Sequence, residues 1–257
     1  MSIKRRTHAN SSSTPPSGRD YHNSLEFVEQ GFRACWVSAQ DLVSAAGTLL
    51  DGGLHAPALS LSVLAIEELG KLMALDGLLY ARRDDDRAKR FEQAMHKHDT
   101  KLDFLNLFPL FVDHLMRADP RYKDERAFKQ AHVINIRQLQ ADRNAVVQHL
   151  PKKDLGGLNG WKKDGFYAAP SGHGFVPPRD AVNTAFAQAV CRFAWRATTS
   201  IDFCLKGGNL ERYIANARAV RRVFTEEALQ ELEQRAEHEA QRLFGRQRTN
   251  GDDGSAP

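Results

Sequence analysis

A guanidinium, an amide and an imidazole fall within seven residues at Arg143-Asn144-Ala145-Val146-Val147-Gln148-His149. Arginine presents a planar fork of donors matched to phosphate oxygens. Histidine titrates near neutrality and can give or take a proton there. The set is sufficient to cleave RNA without a metal. His149 would move the proton of the ribose 2′-hydroxyl or of the leaving oxygen, Arg143 would neutralise charge developing on the phosphate, and Asn144 would orient phosphate or imidazole. The same Arg-to-His spacing recurs at Arg90 to His96 and at Arg126 to His132, followed by Phe91 and Ala127, so only Arg143 is followed by a polar amide. On an ideal helix six residues turn through about 240° and advance about 9 Å, so Arg143 and His149 diverge. Either His149 turns back where Pro151 ends the helix, or each residue meets a partner from a second chain. A position in the last helical turn favours the imidazolium by about 0.3–1 kcal/mol. The alternative role for His149 is structural, a terminal histidine capping carbonyls.

A second group of charges lies upstream, in Ala65-Ile66-Glu67-Glu68-Leu69-Gly70-Lys71. Glu67 and Lys71 are four apart and Glu68 and Lys71 three apart, the spacings at which side chains meet on a helix surface. A solvated pair of this kind is worth about 0.3–0.5 kcal/mol. Gly70 argues for more, because a glycine inside a helix costs about 1 kcal/mol against alanine and marks the close approach of another segment. These residues are expected to support the site, with Glu68 set against the helix that carries Arg143. His96, Lys97, His98 and Lys101 form a basic run suited to RNA phosphate contact. His96 and His98 are two apart, hence on different helix faces, and make a poor metal pair. No metal site and no cofactor is expected, and no phosphate-binding glycine loop, zinc-protease or serine-hydrolase signature occurs.

The elements that must hold these residues are helical. Phe32, Trp36, Ala39, Val43, Ala46 and Leu50 step by three and four, and Gly52-Gly53 closes the run. A second helix spans about Ala56 to Arg82, antiparallel to the first, and a third about Asp86 to Leu107, with Pro109 interrupting the chain just beyond it. A fourth spans about Asp124 to His149. A fifth spans Asp180, read as its N-cap, to Leu205, with Val182, Phe186, Ala189, Phe193, Ala197 and Cys204 buried. Between the last two, residues 151–179 carry repeated glycines and prolines and read as one long irregular loop, with no strand pair. Residues 1–22 read as a disordered basic, Ser/Pro-rich tail, 23–206 as the helical domain, 207–246 as a C-terminal helical extension and 247–257 as a second disordered tail. Net charge is +4 over 257 residues, which tolerates an anionic partner. Cys35, Cys191 and Cys204 sit in apolar runs without CxxC spacing and read as reduced core thiols. No apolar run reaches the ~18 residues of a membrane span, so a cytoplasmic protein is expected.

The long helix, the helix reading Ala65-x-Glu67-Glu68-x-Gly70-Lys71, and the basic run His96-Lys97-His98-x-x-Lys101 resemble the AbiV-type abortive infection proteins of the HEPN superfamily. Lys162-Lys163-Asp164-Gly165-Phe166-Tyr167 is similar to that family's Lys-x-x-Gly-aromatic-Tyr segment. The resemblance implies an all-α, up-and-down HEPN bundle. It also implies a metal-independent antiphage endoribonuclease with Arg143, Asn144 and His149 as the Arg-polar-His motif, and a homodimer in which two motifs face one cleft. RNA would be the substrate, with a phage-encoded activator or host protein as partner. The rival expectation is a non-catalytic bundle of the same fold that binds a phage or host protein or nucleic acid.

Overall fold

The computed structural model describes residues 25–80, 91, 96–98, 101–102, 105–119, 121–150, 155–171, 174–205 and 209–223. Helices α1 (Leu25–Asp51) and α2 (His55–Tyr80) form an antiparallel hairpin. Gly53 closes α1 with φ +75°, and the amides of Gly53 and Leu54 reach back to the carbonyls of Leu50 (3.0 Å) and Leu49 (2.8 Å). That double bond satisfies the helix end and turns the chain sharply. Along α2 apolar residues lie on every side, because α1, the later helices and the C-terminal helix all pack around it. It is the central helix of the bundle, and a charge on it has a neighbour in whichever direction it points.

Of the apolar-face residues expected on the third helix (Phe91, Met95, His98, Leu102 and Leu105), Phe91, Leu102 and Leu105 are buried and His98 is exposed, while Met95 lies outside the described residues together with most of that helix. Pro109 begins a helix here; it does not interrupt one. It occupies the first turn of α3 (Phe108–Ala118), where a missing N–H costs nothing. After the single turn α4 (Arg121–Asp124) comes α5 (Arg126–Val147). His132, of the Arg126-to-His132 spacing, is buried there, with Nε2 2.6 Å from Asp113 and Nδ1 2.8 Å from the Met116 sulfur. It is a core histidine.

The expected irregular segment is largely ordered. After a 3₁₀ turn (Leu155–Gly157), residues Leu158–Phe166 form helix α6, packed on α2. Beyond it, against the expectation of no strand pair, β1 (Ala169–Ser171) and β2 (Gly174–Val176) pair antiparallel. Glycines at 156, 157, 160 and 165 mask the helical spacing of Leu158, Lys162 and Gly165, the α6 residues that are buried. A short α7 (Pro178–Ala181) precedes α8 (Thr184–Leu205). The cap of α8 is Asn183 and not Asp180: its Oδ1 accepts the Phe186 amide at 3.1 Å. Every apolar residue expected inside α8 is buried, and all three cysteines are buried and free. Helices α5 and α8 run antiparallel in a regular register: Phe128 stacks on Phe203, Asn135 bonds Ser200, Asp142 meets Arg192 and Arg196, and His149 lies on Phe186.

The last described helix, α9 (Asn209–Val223), buries Leu210, Tyr213, Ile214 and Ala217 against the bundle. The two tails, and the extension beyond Val223, lie outside the described residues. The Tyr213 hydroxyl donates to Asp76 of α2, and its ring lies 5.8 Å from that of His114. Burial pushes the Asp76 carboxyl up from 3.8 to about 6, opposed by the Tyr213 hydrogen bond and by His114. The folded chain therefore holds this proton more tightly than the unfolded chain. The stabilising contribution is complete below about pH 4 and is lost as pH rises through about 6. Asp76→Asn, uncharged throughout, is expected to flatten the fall of melting temperature between those two values; parallel curves for parent and variant would contradict it.

Candidate functional site

Arg143 and Asn144 are half-buried on the last turns of α5, and His149 stands exposed just beyond the helix. The sequence placed His149 inside the helix. In fact the helical bonding tightens after Val147: the His149 amide donates to Val146 (3.1 Å) and the Leu150 amide to Val147 (3.1 Å). These are i to i−3 bonds, the usual way a helix ends. The imidazole rests on Phe186 at 5.3 Å between centroids, and Phe186 in turn meets Trp161 of α6 at 5.0 Å. An exposed imidazole with an aromatic wall on one side is positioned yet open to a ligand. Asp142, directly before Arg143, is buried and accepts from Arg192 Nε (3.2 Å) and from Arg196 Nε. Arg196 also donates to Gln138 at 2.6 Å. One carboxylate thus faces two guanidinium groups where α5 crosses α8, a local surplus of positive charge. Nothing in the sequence marked Asp142 out, since its partners lie fifty residues away.

The second constellation gathers on α2. Glu67, not Glu68, is the buried member, at 2% exposure. Its Oε1 accepts from Lys162 Nζ of α6 at 2.5 Å, and Oε2 lies 2.8 Å from His98 Nδ1. Lys162 Nζ is also 3.1 Å from that same ring nitrogen. Nδ1 therefore either donates to the carboxylate or accepts from the ammonium, according to tautomer. Glu68 pairs with Lys71 at 2.5 Å and faces Cys35 of α1, whose thiol is pushed up to about 12 by burial and then by the Glu68 carboxylate. This corrects the expectation that Glu68 leans on the helix of Arg143: residues 67 and 68 are 100° apart on the helix, and Glu68 falls on the α1 side. His96 and Lys97 are exposed. Lys101 is buried at 6% exposure, and burial together with the Lys71 ammonium draws its own ammonium below the ordinary lysine value, partly offset by Glu67 and Glu68. Of the four basic residues, Lys101 belongs to the interior.

Gly70 and Gly165 explain how such a charged group fits inside a bundle. A Cβ at Gly70 would stand 2.1 Å from the Lys101 carbonyl oxygen, and one at Gly165 would stand 2.1 Å from Ser60 Oγ and 2.5 Å from the Ala56 carbonyl oxygen. Ser60 Oγ in turn donates to the Lys162 carbonyl at 2.8 Å. The two glycines let the Lys101 segment and α6 approach α2 closely enough for Lys162 to reach Glu67. Gly70→Ala is expected to destabilise by about 1–3 kcal/mol through overpacking, despite a helix-propensity gain of about 1 kcal/mol. Gly47, with nothing within 4 Å of its Cβ position, is the control; its alanine variant should gain up to about 1 kcal/mol. Chemical denaturation measures both, and equal shifts of the same sign would refute the steric account.

Among the described residues no group of three or more His, Cys, Asp or Glu side chains could hold a metal ion, and no helix is long and apolar enough to cross a membrane. No curated relative and no solved structure matches the chain. A family model, that of the AbiV HEPN domain, matches residues 27–198. That span holds both constellations, from α1 to the middle of α8, and the chain belongs to the AbiV family of HEPN proteins.

Proposed function

We propose that this protein is a metal-independent endoribonuclease of antiphage abortive infection, with Arg143, Asn144 and His149 as its catalytic residues. The observation that carries the reading is the placement of His149. Its imidazole is exposed on Phe186 at the end of α5, on an edge where Arg192 and Arg196 outnumber Asp142. Phosphate oxygens are the natural ligand of such an edge. Within it His149 would take the proton of a ribose 2′-hydroxyl, whose oxygen attacks the adjacent phosphorus. The bond to the 5′-oxygen breaks, and that oxygen takes up the proton the imidazolium gives back, leaving a 2′,3′-cyclic phosphate, a 5′-hydroxyl and a neutral His149. Arg143 would balance the charge on the phosphate in transit, and Asn144 would hold phosphate or imidazole. DNA lacks the nucleophile and should persist. A homodimer that sets two such edges face to face would complete each site, and the two-fold arrangement is the commonest one. The Glu67–Lys162–His98 group would act at a distance, by fixing α6 and thus Trp161 behind Phe186.

Purified protein incubated with single-stranded RNA in EDTA is expected to release fragments ending in 2′,3′-cyclic phosphate. Intact RNA at high protein concentration would overturn the enzyme reading in favour of a bundle that binds a phage or host protein.

A further inference from the structure

A groove of about 420 Å³ lies between α1 and α8, lined by Val43, Ala46 and Leu50 on one side and by Trp195 on the other, with Arg192 and Gln188 also lining it. Ser62 and Cys191, which are buried, line it as well. Trp195 is 54% exposed, although it is the largest apolar side chain a protein has. Arg192 belongs to both places: it lines the groove and its Nε is 3.2 Å from Asp142, the neighbour of Arg143. By the register of α5 against α8, the groove therefore sits on the flank of α8 at the level of Arg143.

We propose that this groove receives one nucleobase of single-stranded RNA, stacked on Trp195, while the adjoining phosphate lies along the Arg192 edge toward Arg143. The proposal deepens the ribonuclease reading and rests on it for the identity of the strand. Four features select a base. The volume is that of a small-ligand site, about 300–1,000 Å³. An exposed indole facing aliphatic side chains offers a stacking surface that accepts any base. The groove opens beside surplus positive charge, which complements a phosphate backbone. The Gln188 amide at this site has both a donor and an acceptor for a base edge. A paired base cannot enter, so the substrate is unstacked single strand.

Gly47 supplies the test, because it lines the groove and a Cβ there meets open space. Gly47→Leu should fill the groove without straining α1, and should melt at or above the parent temperature. Full-length protein is titrated with a fluorescein-labelled 2′-O-methyl hexanucleotide of mixed sequence, which lacks the nucleophile and is not cut, and anisotropy is read. Gly47→Leu and Trp195→Ala are each expected to raise Kd tenfold or more. Trp195→Phe should stay within about threefold, and competition by inorganic polyphosphate, which has no base, should be unchanged. Binding by Gly47→Leu within twofold of the parent overturns the proposal, and so does a parent that does not bind the oligonucleotide. If Gly47→Leu alters the oligomeric mass in light scattering and leaves RNA binding intact, the groove belongs to a second copy and the proposal fails. A parent that binds the hexanucleotide through the groove and leaves unmodified RNA intact retires the ribonuclease reading and keeps the base site. Undiminished cleavage with unchanged KM in Gly47→Leu does the reverse.

Discussion

His149→Ala and Arg143→Ala are each expected to slow RNA cleavage by about 10²-fold or more, the usual worth of a positioned proton-transfer group or charge-stabilising donor. The two substitutions should differ in their effect on the fold. His149 is exposed and outside the helix, with Phe186 its one ring contact among the described residues, so its removal should shift stability by less than about 1 kcal/mol. Arg143 is half-buried beside the Asp142 network, and Arg143→Lys keeps the charge while losing the planar fork. If bidentate phosphate contact is its role, lysine should recover little of the lost rate. Initial rates on a short labelled RNA, with melting temperatures measured in parallel, separate these effects. Rates of both alanine variants equal to the parent's, with the folds intact, would remove Arg143 and His149 from the chemistry.

Glu67→Ala should be the most destabilising single change in the second constellation, at about 3–5 kcal/mol, because it strands the Lys162 ammonium inside the bundle. For a domain of this size each kcal/mol lowers the melting temperature by about 2–4 °C, so a fall of roughly 6–20 °C is expected. Lys162→Met should cost a similar amount by stranding the carboxylate. The double variant Glu67→Leu/Lys162→Met should recover much of the loss, since replacing a whole buried pair with apolar groups is often neutral. Glu68→Ala, whose partner Lys71 shares its helix and retains access to water, should cost no more than about 1 kcal/mol. Additive effects of the Glu67 and Lys162 substitutions would show that the pair contributes nothing as a pair.

These two residues also mark the boundary between what was legible in the chain and what was not. Helices α1, α2, α5 and α8 could be read directly, because a 3.6-residue period in apolar side chains is written locally and survives any arrangement of neighbours. Gly70 pointed to a close approach for the same local reason, and the Glu-Glu-x-Gly-Lys run pointed to the family that the match over residues 27–198 bears out. Helix α6 stayed hidden because glycine is disfavoured in an isolated helix, yet Gly165 is required where α6 lies on Ser60 and Ala56; packing overrides propensity there. The roles of the neighbours Glu67 and Glu68 could not be told apart, since a carboxylate's partner depends on which helix lies 100° around the axis. By itself, then, the sequence determined helices α1, α2, α5 and α8, their buried faces and the family. Only the tertiary structure decided that Lys162 reaches Glu67 across 95 residues, that Asp142 holds two arginines of α8, and that His149 rests on Phe186. The reason is physical: periodicity is a property of one helix, and an ion pair or a ring contact is a property of two.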